Sequence, residues 1–411
     1  MEQQHDVVIV GAGIGGSALA AQLASAGLSV LVLEQQVTYK DRVRGETIVP
    51  WGVREVQQLR IEEVLLATGG AYITEYPQYD ELTPPEEAEA TAFQASMVAP
   101  DVPGQLDVGH PEACEALSQH AERSGAVVMR GIADVHIEPG DRPAVSWSHG
   151  GVRQEARPRL VVGADGRQST VRKQVGIALE ERPARTYGAG LLVRAAAGFD
   201  GKGTLGTAGQ NLFLAFPRQH DLARLYLLVD IARQPEFTGA GRTETFLSQF
   251  RTSCFPASEA YADGEAAGPC GGSPMTDSWT VGPPVAPGVV LIGDAAGWND
   301  PIIGQGLSIA LRDARMVSEI LLSSSDWSPD AFKGFVEERA DRMWRLATCA
   351  AINTEMRCTF TPEGAERRRR WRSALLTNPT LLMQVAGFLM GPEHVPADVF
   401  SDEAVAATYS L

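Results

Sequence analysis

Val7-Val8-Ile9-Val10-Gly11-Ala12-Gly13-Ile14-Gly15-Gly16-Ser17 is the stretch on which the fold turns. Four β-branched residues in a row make a short buried strand, and from Ser17 to Ala26 the alanines and leucines recur at helical spacing. Leu28 to Glu34 is a second apolar run that ends in an acid. Strand, helix and strand in so short a span form a βαβ unit, which implies parallel strands and an α/β sheet.

The glycines narrow the reading. In a loop that leaves a strand and opens a helix, Gly11 makes the tight turn, Gly13 admits a pyrophosphate to the backbone, and Gly16 lets helix and strand pack closely. Ile14 and Gly15 add first-turn N–H groups, whose partial positive charge favours an anion. Glu34 is placed to accept hydrogen bonds from ribose hydroxyls, with Gln35 beside it. An acid there favours an unphosphorylated adenosine ribose, hence FAD or NAD rather than NADP. The loop alone does not separate FAD from NAD.

The 411 residues suffice for two or three packed units, and a net charge of −16 would repel nucleic acid. The one basic run, Arg367 to Arg370 with Trp371 and Arg372, reads as a solvated helix face beside Glu363 and Glu366. Cys114, Cys254, Cys270, Cys349 and Cys358 have no metal-ligand spacing and read as buried thiols of a reducing compartment. The polar start, Met1 to Asp6, and the lack of an apolar run of ~18 residues predict a cytoplasmic protein without a membrane span, monomer or homodimer.

Further along, Glu55 to Leu66 and Glu112 to Gly125 read as helices, and proline-rich Thr68 to Ala99 as a solvent-facing excursion. Gly188–Val193, Gln210–Phe216 and Leu225–Asp230 are strands without crossover helices, which predicts an antiparallel sheet inserted into the first domain. Val289 to Ile292 reads as a buried strand, and Gly304 to Leu322 as a loop entering a long helix. The expected division is a discontinuous dinucleotide domain (1–75, 96–180, 274–328), a substrate-binding sheet domain (76–95, 181–273) and a helical C-terminal region (329–411).

Two later motifs decide the cofactor. Gly163-Ala164-Asp165-Gly166-Arg167, followed by Ser169 and Arg172, resembles the second signature of the class A flavoprotein monooxygenases, the family of para-hydroxybenzoate hydroxylase. Gly293-Asp294-Ala295-Ala296, then Pro301 and Gly304-Gln305-Gly306-Leu307, resembles the third. The resemblance implies FAD as cofactor and NADPH or NADH as transient donor. It also implies a small-molecule substrate and dioxygen, and a reaction through a flavin hydroperoxide. Asp294 at a strand end can accept hydrogen bonds from the polyol of FAD. The loop Pro301 to Leu307 can bring backbone N–H groups to the flavin's pyrimidine edge.

Arg42-Val43-Arg44-Gly45-Glu46, with Pro50-Trp51-Gly52, resembles the segment that runs over FAD in this family. Arg44 is its candidate contact, and Arg44 and Pro301 are the candidates nearest the reacting ring. Arg44 and Arg167 are the basic groups expected to meet NAD(P)H. His110 stands where the family usually has arginine, and Gly297-Trp298-Asn299-Asp300 also departs from the hydroxylase pattern. That version is close to flavin halogenases and geranylgeranyl-reductase-like proteins. The absence of lysine between Lys40 and Lys173 speaks against a halogenase, and the retained signature residues against a non-enzymatic flavoprotein. A reductase or oxidase stays open. Tyr226, Phe213 and Phe216 are candidate cavity walls or plain core, and no general base stands out.

Overall fold

The computed structural model describes residues 5–43, 45–195, 200–218, 220–375 and 377–411. Strand β1 (Val7–Val10) is fully buried, and α1 (Ile14–Ser25) returns the chain to β2 (Val30–Glu34), parallel to β1. Gly11 has φ +104°, and a side chain on Gly16 would collide with the Gly11 carbonyl, so this tight path is open only to glycine.

Beyond β2 the chain leaves the sheet for β3 (Thr47–Ile48), α2 (Pro50–Gln58), β4 (Ala71–Ile73), β5 (Gln78–Asp80) and β6 (Gln105–Asp107). It returns through α3 (His110–Arg123) to β7 (Val127–Arg130), which pairs with β2. The helix expected over Glu55–Leu66 is broken, because α2 stops at Gln58 and Arg60 turns at φ +54° before a second helix, Glu62–Leu66. The proline-rich stretch is a solvent-facing excursion only in part, with most of residues 81–91 exposed. β4 and β3 flank β6 in a three-stranded sheet, and Tyr79 and Asp80 of β5 are buried. Strands of two or three residues carry too little alternation to be read as strands.

An antiparallel meander (Ala133–Glu138, Ala144–His149, Val152–Ala156) leads to β8 (Leu160–Gly163), on the other side of β1. Then come β9 (Thr186–Arg194), β10 (Thr204–Ala208), β11 (Asn211–Arg218) and β12 (Leu222–Asp230), the centre of a seven-stranded sheet. In space β12 lies between β9 and β11, and β5 pairs with β10 at the edge. The chain rejoins the first sheet at β13 (Val289–Leu291), parallel to β8. The helices α4 (Gly306–Ser323), α5 (Lys333–Arg357), α6 (Pro362–Leu375) and α7 (Pro379–Met390) follow, with a last short helix at Asp402–Tyr409. No single helix among the described residues is long and apolar enough to cross a membrane.

The inserted sheet has two unlike faces. Ala189, Phe213, Leu225 and Leu227 pack with Phe246, Phe250 and Phe255 as core. The residues that alternate with them, Gly190, Leu214, Phe216, Arg224 and Tyr226, turn the other way, and Gly190, Tyr226 and Leu214 stand in line across three strands. Phe213 is thus core, whereas Phe216 and Tyr226 share the opposite face, 6.1 Å between ring centroids.

The basic run on α6 corrects the reading of a solvated face. Gly364, Arg368 and Trp371 form its buried stripe, and Arg368 pairs with Asp80 (3.1 Å) and Glu81 (2.9 Å). Arg369 and Arg370 alone of the run match the expectation of exposed, solvated arginines. The C-terminal region is thereby fastened to the inserted sheet.

Candidate active site

The parallel strands of the first sheet end together. Val10 pairs with Gly163, and Gly163 with Leu291, so the glycine loop after β1, Asp165 after β8 and Asp294 after β13 emerge at one edge. This carboxyl edge is where α/β sheets bind ligands. Helix α1 starts at Gly13 without a side-chain cap, and a Cβ on Gly13 would meet nothing within 4 Å. Uncapped first-turn N–H groups above open space suit a phosphate.

Glu34 is buried and already engaged. Its Oε2 accepts the Ala12 N–H and its Oε1 the Gln36 N–H, both at 2.8 Å. The acid therefore shapes the glycine loop from below, with lone pairs to spare for a hydroxyl. Gln35 next to it is exposed.

Asp165 caps the short helix Thr170–Gln174. Its carboxylate accepts from Ser169 Oγ (2.5 Å) and from the N–H groups of Thr170 (2.6 Å) and Val171 (3.2 Å), while Gly166 turns at φ +75°. Burial pushes its carboxyl up from the usual range against those hydrogen bonds. Arg172, buried, donates to the carbonyls of Ala295 and Arg167, which ties this motif to the segment Gly293–Ala296. Arg167 reaches Asp294 at 3.4 Å and lies over the Trp298 ring.

In the loop Pro301–Leu307, Gly304 adopts φ +64°, close to Thr47, whose Cγ2 lies 3.7 Å from where a Cβ would stand. Gln305 is buried and turned away from the edge: its Oε1 accepts the Trp51 Nε1–H (2.7 Å) and its Nε2–H donates to the Ile303 carbonyl (2.6 Å). Its side chain fixes the loop; only its backbone remains for a ligand. A Cβ on Gly306 would meet nothing within 4 Å, and Leu307 packs into the α1–α2 core. Arg44 lies outside the described residues. Val43 beside it is held at φ +53° and wedges against Gly190 and Gly271 of the inserted sheet. His110 opens α3, with Nδ1 3.6 Å from Cys114 Sγ and its backbone N–H 3.4 Å from Glu46.

Between the small sheet and the inserted sheet lies a buried group of charges that no sequence motif announced. Arg224 (1% exposed) pairs with Glu46 (3.0 Å) and Asp41 (2.7 Å), and Arg218 reaches Glu46 at 3.6 Å. Asp107 stands beside them, 3% exposed. Its Oδ1 accepts from Thr47 Oγ1 (3.0 Å) and Gln105 Nε2 (2.8 Å), and its Oδ2 is buried without a partner. Burial pushes this carboxyl up to about 7. One partner, Gln105, is on its own strand, but Thr47 and the neighbouring Arg218 and Glu46 lie far away in the chain, which is why the acid looked ordinary in sequence.

A second buried group pins the C-terminal region to the first domain. Asp313 of α4 accepts the Gly293 N–H (2.8 Å) and pairs with Arg339 (2.9 Å) and Arg342 (2.7 Å) of α5. Arg339 also donates to the carbonyls of Gly293, Ala296 and Gly297. The loop that carries Asp294 is thus held from behind.

Known proteins agree with this geometry. The FAD binding domain family model matches residues 4–350. Digeranylgeranylglycerophospholipid reductase 2 of Methanococcoides burtonii is 24% identical over 371 residues, 87% of this chain and 84% of its own. Rifampicin monooxygenase of Streptomyces venezuelae is 26% identical over 386 residues, 90% of this chain and 75% of its own. The structure of p-nitrophenol 4-monooxygenase from Pseudomonas putida superposes with a TM-score of 0.81 at 16% identity, covering 96% of this chain and 98% of that one. With the carboxyl-edge cradle, the inserted sheet and a family match over most of its length, the chain belongs to the FAD binding domain family and is an FAD-dependent oxidoreductase of the class A flavoprotein monooxygenase fold.

Proposed function

We propose that the chain is a NAD(P)H-consuming monooxygenase that uses dioxygen to hydroxylate or epoxidise a small aromatic or polyketide-like molecule. The observation that carries this reading is the inner face of the inserted sheet. On it Arg224 pairs with Glu46, Tyr226 and Phe216 meet each other, and Val43 seats against Gly190, so this face meets the segment around Val43 instead of the phenylalanine core. A sheet face kept for polar and aromatic groups beside a flavin site suits a substrate held out of water. The likeness to rifampicin monooxygenase supports the same reaction type.

FAD, when bound, supplies the redox chemistry with oxygen. In this reading the N–H groups of Ile14, Gly15 and Gly16 and the open backbone at Gly13 hold the pyrophosphate, beside Gly11, and Glu34 and Gln35 take the ribose. Asp165, Gly166, Gly293 and Asp294 line the polyol, and Pro301, Gly304, Gln305, Gly306 and Leu307 border the flavin, with Arg44 and His110 as further cofactor contacts. Residues 76–95 and 181–273 shape the substrate cavity, residues 1–75, 96–180 and 274–328 hold the cofactor, and residues 329–411 brace both.

The test is NADPH and NADH oxidation with oxygen uptake in the presence of phenols and polyketide-like compounds. A product one oxygen atom heavier is expected from at least one of them. Peroxide as the sole outcome with every compound would overturn the reading. The likeness to a digeranylgeranylglycerophospholipid reductase favours a second one, saturation of an isoprenoid double bond. Product formation without oxygen would select it.

A further inference from the structure

Asp107 is the described carboxylate that combines near-complete burial, an unpartnered oxygen and a position on the flavin side of the fold. On β6 its neighbour Leu106 pairs with Ile48 and Tyr72, and Leu106 and Ile48 enter the core of the first domain. Asp107 therefore lies on the other side, in register with Thr47 and Ala71. Thr47 in turn borders Gly304 of the loop proposed to hold the flavin. Thr47 and Gln105 both donate to Oδ1, which fixes the carboxylate plane and leaves Oδ2 with its lone pairs unused. A buried acceptor without a donor costs about 1–3 kcal/mol, so a structural acid would be expected to find a partner for it.

We propose that Asp107 Oδ2 is the proton acceptor for a substrate that presents an acidic hydroxyl, a phenol or an enol, between the small sheet and the inner face of the inserted sheet. This rests on the monooxygenase reading above and narrows its substrate class. In the step, the substrate O–H bond breaks and its electron pair stays on oxygen. A new O–H bond forms at Oδ2, and the negative charge moves from carboxylate to phenolate or enolate. No oxidant is consumed, and the carbon ortho or para to that oxygen becomes the better nucleophile toward an electrophilic oxygen.

The surroundings suit the transfer. Burial pushes the Asp107 carboxyl up to about 7, with Glu46 opposing its ionisation and Arg218 favouring it. Arg224 and Arg218 balance Glu46 and Asp41, and the hydroxyls of Tyr76 and Tyr226, raised by burial, stay neutral throughout this range. His110 opens α3 three residues on, with its backbone N–H at Glu46, so the Asp107→Asn comparison is what assigns the pH dependence to Asp107.

The experiment uses the FAD-loaded enzyme and two probes, 4-chlorophenol and 4-chloroanisole, whose equilibrium binding is read from the flavin absorbance at about pH 6 and about pH 8. The phenol is expected to bind at least ~10-fold tighter than its methyl ether at the higher pH, since a site built to receive a hydroxyl proton rejects the analogue without one. The preference should shrink at the lower pH, where the carboxyl is protonated. In Asp107→Asn the preference should no longer depend on pH, with FAD content unchanged. Equal binding of the two probes by the wild type, or a pH-independent preference, would overturn the assignment even if the variant failed to fold. Oxygen transfer to another substrate without a phenol preference would remove Asp107's role and leave the monooxygenase reading. Peroxide alone with every substrate, alongside an intact phenol preference, would do the reverse.

Discussion

Asp313 and Asp107 are both carboxylates with almost no exposed surface, 0% and 3%, yet their surroundings treat them oppositely. Both oxygens of Asp313 are taken, by the Gly293 N–H and by two arginines. Against burial, which alone would raise it, Arg339 and Arg342 hold its carboxyl below the usual range. Asp107 has one oxygen occupied and one idle, no arginine in contact, and a carboxyl raised to about 7. A saturated buried acid is a fastener. An unsaturated one is held ready for a partner that arrives later.

That contrast can be broken at its strong end first. Asp313→Ala strands Arg339 and Arg342 and should cost about 3–5 kcal/mol, the range for removing one member of a buried ionic group. Urea unfolding followed by flavin release would show it, and a loss below about 1 kcal/mol would mean that the network is no fastener. Arg368→Met tests the third buried pair, with Asp80 and Glu81, and should cost about 2–3 kcal/mol because Glu81 is better hydrated. Arg369→Ala, next along the helix but exposed, should leave the melting temperature unchanged.

One effect has the opposite sign. Asp107 is raised in the fold from 3.8 to about 7, so the folded state holds its proton more tightly than the unfolded chain does. Its ionisation costs nothing below the unfolded value, costs more as pH rises between the two, and weighs fully above about 7. Asp107→Asn should therefore match the wild type near pH 4 and exceed it by up to about 4 kcal/mol at pH 8. Urea titrations at the two pH values would check it, and a variant weaker at pH 8 than the wild type would make Asp107 a fastener too.

The part of this molecule legible in its sequence is the part whose residues act on near neighbours. The path from Val7 through Gly16 to Glu34 closes within one βαβ unit, where Gly16 packs on the Gly11 carbonyl and Glu34 accepts the Ala12 N–H, although Gly11 and Gly15 are also crowded from Ala164 and Ala310 far along the chain. Asp165 and Asp294 were legible because each lies in a short motif beside a strand end. Asp107 was not, for its meaning comes from Thr47, 60 residues earlier in the chain, and from Arg218 and Tyr226 on an inserted sheet. Arg368 was misread for the same reason: its partner Asp80 lies 288 residues away, so the run looked like a solvated face. Gln305 shows a subtler limit. Its place in the motif was plain, but the hydrogen bond to Trp51 that turns its side chain inward crosses 254 residues.

Helix α5 also sets an order of events during synthesis. Asp313 and the Gly293–Gly297 loop leave the ribosome well before Arg339 and Arg342, so for that interval the acid has burial available to it without its counter-charges. The brace behind the Gly293–Gly297 loop is therefore complete only once the chain extends past Arg342, far from the glycine loop near its start. A chain that stopped short of α5 would carry Asp313 and this loop without the arginines that hold them.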